Sequence, residues 1–90
     1  KIDKRDNCFY FFNPFSAHIF RKVVHNIMRS VEKDRRTVDL ILYYPISEYK
    51  DFLKNNTPFT IINKIRVPER SDKKEKFIIY RLKEEVFSAV

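Results

Sequence analysis

The order of apolar and amphipathic runs predicts an α/β domain with a mixed sheet, built in the order β-α-β-α-β-β. Three observations carry that expectation. Two short apolar runs, residues 7–12 and 37–44, flank a segment whose hydrophobic residues recur every three or four positions. Turn formers, Asn13-Pro14 after the first run and Pro45 after the second, close both. A charged stretch from Pro68 to Lys76 then joins two further β-type runs, as a hairpin loop would. Ninety residues are enough for one two-layer core and too few for two, so residues 1–90 read as a single domain.

Asn7-Cys8-Phe9-Tyr10-Phe11-Phe12 is apolar without alternation, the pattern of a strand buried on both faces. Pro14 cannot donate to a sheet ladder, but its fixed φ suits the start of a helix. From Ser16 to Asp34, Phe20, Val23, Val24, Ile27, Met28 and Val31 form one stripe, and His18, Arg21, Lys22, His25, Arg29 and Glu32 lie off it. That is an amphipathic helix of about five turns that packs on one side. Thr37–Tyr44 is the second strand, and the strand-helix-strand unit predicts a right-handed crossover. Ser47 is placed to cap a shorter helix with Tyr49, Phe52 and Leu53 as its apolar stripe. In the third strand Phe59, Ile61, Ile65 and Val67 share one face, opposite Thr60, Lys64 and Arg66. Residues 68–76 form the charged loop, 77–82 the last strand and 83–90 a tail. The first strand carries no charge to protect it, yet four strands in this order leave it at an edge. It therefore pairs with another chain or with a neighbouring strand beyond these residues.

Nineteen Lys and Arg against 12 Asp and Glu leave a net charge of +7, a surface that favours acidic partners. The single cysteine, Cys8, excludes an internal disulfide framework and a cysteine-based zinc site, and its place in an apolar strand makes its thiol inert. Roughly six glycines are expected in a chain of this length, and there are none. Every site that cradles a phosphate or cofactor in a glycine-rich loop is thereby excluded within these residues. No apolar run approaches the roughly 20 residues of a membrane-spanning helix. The chain starts at Lys1 rather than methionine, as a processed product or a piece of a longer one would, and no signal-peptide core follows it. Its expected compartment is the cytoplasm.

Candidate chemistry concentrates at the strand ends. Asn13, Pro14 and Phe15 follow the carboxyl end of the first strand, where ligands of open α/β sheets bind. Asn13 offers both a carbonyl and an amide to a planar polar group, and Asn13 or Ser16 also serves as the helix cap; the two roles coexist. Tyr44 sits at the matching end of the second strand and can wall the same crevice or plug the core. His18 and His25, seven residues apart, lack an i, i+4 partner for a metal and read as solvated surface. Lys73, Lys74 and Lys76 make the hairpin a candidate for phosphate contacts, although the mixed charges around them suit a solvated tip. The 14 Phe and Tyr fall mostly in runs expected to be buried, which argues against an exposed stacking platform.

Tyr10-Phe11-Phe12-Asn13-Pro14-Phe15, the helix carrying Ile19-Phe20-Arg21-Lys22-Val23 and Asn26-Ile27, and Leu40-Ile41-Leu42-Tyr43-Tyr44-Pro45 together resemble the C-terminal half of a class I S-adenosylmethionine-dependent methyltransferase, a Rossmann-like fold. The resemblance spans residues 6–82. It implies the strand order 1-2-4-3 with an antiparallel last strand, and it places Asn13 at the methyl-acceptor position with Pro14 and Phe15 shaping the turn. Phe15 stands where that family often has a second proline. The family's cofactor turn and the acidic residue ending its second strand belong to the other half, so no cofactor-binding residue is expected here. S-adenosylmethionine is then the cofactor of the complete protein, and the partner of residues 7–12 is the cofactor-binding half. The alternatives are a basic module that binds nucleic acid or an acidic protein through the hairpin, and a homodimer paired through residues 7–12. The methyl acceptor is not specified by the sequence.

Overall fold

The computed structural model describes residues 2–11, 16–43, 47–66 and 76–87. The chain runs β1 (Cys8–Phe11), α1 (Ala17–Lys33), β2 (Val38–Tyr43), α2 (Ser47–Asn56), β3 (Thr60–Arg66) and β4 (Lys76–Leu82), ending in a 3-10 turn, Glu84–Phe87. The four strands form one sheet in the order β1-β2-β4-β3. β1 lies parallel to β2, and β4 is antiparallel to both of its neighbours, β2 and β3. The α/β class, the mixed sheet and the strand order expected from the sequence are all present.

α1 forms where the hydrophobic period changes to that of a helix. Ser16 is its N-cap, accepting a hydrogen bond from the Ile19 N–H at 3.3 Å. Ser16→Ala removes that acceptor while leaving the core untouched, and the expected loss is about 1 kcal/mol in urea unfolding. An unchanged midpoint would mean that another group caps the helix. Phe20, Val24, Ile27 and Val31 are the buried stripe of α1, with Val23 and Met28 packed at its margin. α2 buries Tyr49, Phe52 and Leu53. Phe20 joins the two helices, stacking on Tyr49 with ring centroids 4.0 Å apart.

Both helices cover the same face of the sheet. Val38, Leu40 and Leu42 of β2 and Ile78, Tyr80 and Leu82 of β4 belong to the same buried cluster as the helix stripes. The side chains between them, Asp39, Ile41 and Tyr43 on β2 and Phe77, Ile79 and Arg81 on β4, stand on the opposite face because successive strand residues alternate. Among the described residues no helix covers that second face.

Three expectations are corrected. β1 is not buried on both faces: Phe11 is in the core, but Tyr10 is 47% exposed and Cys8 is exposed too. With no strand beyond it among the described residues, β1 has one covered side, and the Cys8 thiol is open to solvent. Second, β3 does not keep one face. The register shifts between Ile61 and Asn63, so Ile61 is opposite Tyr80 on the helix side while Ile65 is opposite Phe77 on the other side. The extra residue of the β-bulge reverses the alternation and brings Lys64 and Arg66 to the helix side. Third, Lys76 is the first residue of β4, opposite Arg66, and not part of the loop.

Arg36 ties the N-terminal segment to the end of α1. Its guanidinium donates to the Asp6 carbonyl at 2.6 Å, the Asp34 carbonyl at 2.7 Å and Ser30 Oγ at 2.9 Å. It also reaches the carbonyls of Ser30 and Asp3, each at 3.3 Å. Residues 3–6 form a turn of their own: Asp6 N–H donates to the Asp3 carbonyl, and the Asp3 carboxylate accepts from Arg5 N–H at 2.9 Å. That backbone bond, with the Arg5 side chain, holds the Asp3 carboxyl below its ordinary pKa.

Candidate functional site

Phe11 of β1 is the register partner of Leu42 of β2, so the described C-terminal ends of these two parallel strands lie side by side. Asn13, Pro14, Phe15 and Tyr44, the candidate substrate-binding residues, lie outside the described residues, as do Lys73 and Lys74 of the hairpin. Lys76 is described only in its backbone. What is described is the frame around those segments. Ser16 starts α1 next to the end of β1, and the first turn of α1 holds no acidic residue to offset the positive end of the helix dipole.

At that same end the uncovered face of the sheet carries three aromatic rings from three neighbouring strands. Phe77 of β4 lies 4.9 Å from Tyr43 of β2 and 6.2 Å from Tyr10 of β1, centroid to centroid, both pairs tilted. Ile41, Ile79 and the 45%-exposed Ile65 extend the apolar surface across β2, β4 and β3. These aromatic residues were expected to be buried. The alternation of a one-sided sheet instead leaves every second one on the open face, a consequence that only the layer arrangement reveals. At the other end of β2 the Arg81 guanidinium grips the Asp39 carboxylate with two bonds, 2.8 and 3.0 Å. Those bonds, and the carboxylate's charge, hold Arg81 protonated more firmly than usual. The pair neutralises the only charges that β2 and β4 present to this face, so it is an apolar surface with a closed ion pair at one end.

A second concavity lies on the helix side, between α2 and the β3–β4 hairpin. It has a volume of about 490 Å³ and is lined by Lys50, Asp51, Lys54, Phe59, Thr60, Ile61, Lys64, Ile78 and Tyr80. Burial raises the Tyr80 phenol above its ordinary pKa. No candidate from the sequence fell in this cleft. The i, i+4 spacing of Lys50 and Lys54 was visible, but the bulge that turns Lys64 toward them was not.

His18 and His25 are both exposed on α1, His25 with its ring 5.7 Å from that of Phe52. Among the described residues no group of three or more His, Cys, Asp or Glu is placed to hold a metal ion. No described helix is long and apolar enough to cross a membrane. Comparison of the chain with family models, with curated proteins and with solved structures finds no match.

Proposed function

We propose that this chain is the acceptor-side half of an S-adenosylmethionine-dependent methyltransferase and acts together with a cofactor-binding half, in the same or a second polypeptide. One observation carries the reading: the sheet order β1-β2-β4-β3, with a parallel first pair and an antiparallel final hairpin, has both helices on one face and an apolar face left open. Doubly wound α/β sheets carry helices on both faces. Among the described residues no helix covers the face that carries Ile41, Phe77 and Ile79, and no strand lies beyond β1 in the sheet, which supports docking of a second α/β half there.

The chain's own residues do not fit the cofactor. It has no glycine for a close backbone approach, and its two parallel strands end in Phe11 and Tyr43 rather than in an acidic residue. In this reading Asn13, two positions after β1 in the sequence, orients the acceptor, and Pro14, Phe15 and Tyr44 shape the surrounding wall. The compartment proposed with it is the cytoplasm.

S-adenosylmethionine titrated into the 90-residue chain is expected to give no saturable heat in calorimetry; micromolar binding would overturn the division of labour. The intact mass of the native gene product supplies the other arm. A longer product with a glycine-rich turn should methylate an acceptor and lose that activity in Asn13→Ala with its circular dichroism unchanged. Pairing of two copies through β1 is the second reading, favoured by the exposed edge with Cys8 and Tyr10. A sedimentation coefficient independent of concentration removes it.

A further inference from the structure

We infer that the cleft between α2 and the bulged strand β3 binds a small ligand with a carboxylate on an apolar body. The cleft lies on the helix side of the sheet, on the opposite face from the Tyr10, Tyr43 and Phe77 rings, and it does not depend on the methyl-transfer reading.

The bulge is the first observation. A regular β3 would place Ile61 and Asn63 toward the helices and Lys64 away from them. The register shift at Ile62 instead sets Lys64 opposite Ile78, a core residue of β4, and so directs a lysine to the inner side of the sheet. Bulges re-aim side chains in this way beside binding sites. The second observation is the convergence of charge. Lys50 and Lys54 are one helical turn apart on α2, and both line the same cleft as Lys64. Among the described residues Asp51 is the only acid in the lining. Among the described residues none of the three lysines is held in an ion pair. The third is the floor: Phe59, Ile78 and Tyr80 are buried core side chains, while Ile61 beside them is left 46% exposed.

Together these make an apolar floor, exposed chiefly at Ile61, under a cationic rim. The volume, about 490 Å³, lies within the ~300–1,000 Å³ usual for small-molecule clefts. Among the described residues the lining has no arginine, whose planar fork suits phosphate, and its three lysines act as point charges that a single carboxylate can satisfy. An inward lysine on an edge strand also discourages pairing with other chains, but that role needs neither Lys50 nor Lys54.

The test uses 2-naphthoate and its neutral counterpart 2-naphthylmethanol, titrated into the isotope-labelled chain and followed by amide chemical shifts. Saturable shifts are expected at Ile61, Lys64 and Tyr80, with the acid binding about tenfold more tightly than the alcohol, the scale of two or three exposed charge contacts. Lys64→Ala and Lys54→Ala should each weaken the acid about threefold and leave the alcohol unchanged. Both lysines are exposed, so both variants should keep the wild-type circular dichroism. Equal affinity for acid and alcohol overturns the proposal, as does an acid affinity unchanged in both variants. So does an absence of saturable shifts, or shifts centred on Tyr10, Tyr43 and Phe77. Tighter binding of a uridine oligonucleotide at the same residues would assign the cleft to nucleic acid and likewise overturn it.

Discussion

Phe20→Ala is expected to remove a large share of the folding stability of this chain and to lower its urea midpoint steeply. Phe20 is completely buried and is the contact point of three elements. Its ring stacks on Tyr49 of α2 at 4.0 Å, meets Phe11 of β1 edge-on at 5.3 Å, and meets Phe52 of α2 edge-on at 6.3 Å. Truncating a buried Phe costs about 3–5 kcal/mol, through lost transfer free energy and the cavity left behind. Single domains of this size are stable by only about 5–15 kcal/mol, so the loss is a large share of the total. Phe20→Leu, which refills much of the volume, should retain a single transition at lower urea concentration. A Phe20→Ala variant that unfolds cooperatively within about 1 kcal/mol of wild type would contradict the packing of α1 against α2 described above.

The second large effect is expected at Arg36. Five hydrogen bonds leave one guanidinium, and four of their acceptors are main-chain carbonyls drawn from residues 3–6 and from the end of α1. A charge-assisted bond contributes about 1.5–3 kcal/mol where it is shielded. These bonds are partly exposed, so Arg36→Ala is expected to cost about 2–4 kcal/mol in total rather than five full increments. Arg36→Lys keeps the charge, which favours the negative end of α1, but a point-like ammonium cannot span acceptors from two segments at once. It should recover less than half of the loss. Amide hydrogen exchange gives an independent reading: in Arg36→Ala the Asp6 and Asp39 amides, held at 3.0 and 2.9 Å by the Asp3 and Asn7 carbonyls, should exchange faster than those of β4. A midpoint within about 0.5 kcal/mol of wild type, with exchange unchanged, would show that the N-terminal turn is held without the guanidinium.

Elements with a strong period were legible. The stripe Phe20, Val24, Ile27 and Val31 and the shorter stripe Tyr49, Phe52 and Leu53 follow from local rules, and the structure places α1 and α2 accordingly, with β1 and β2 inside the two apolar runs. Arg36 gave no such sign. Its acceptors at Asp3 and Asp6 are some thirty residues away in sequence, and no local pattern reports a bond that only the packed N-terminal segment can make. The lysines of the cleft were hidden for another reason: the bulge at Ile62 comes from how β3 settles against β4, and a single Asn63 inside a β-type run, with no glycine beside it, does not announce it.

The sequence by itself determined the element order, the amphipathic faces of both helices, a cap for α1 at Asn13 or Ser16 and the exclusion of any glycine-rich cofactor loop within these residues, because each depends on residues within a few positions of one another. Tertiary structure decided the rest. It packed both described helices on one face of the sheet, so that Tyr10, Tyr43 and Phe77 stand on the opposite face from the core, and it reversed β3 so that Ile65 faces away from the helices and Lys64 toward them. Both outcomes turn on which layers meet and in what register. A period of two specifies that neighbouring residues point in opposite directions, but only the partner strand and the covering helices determine which direction is inward.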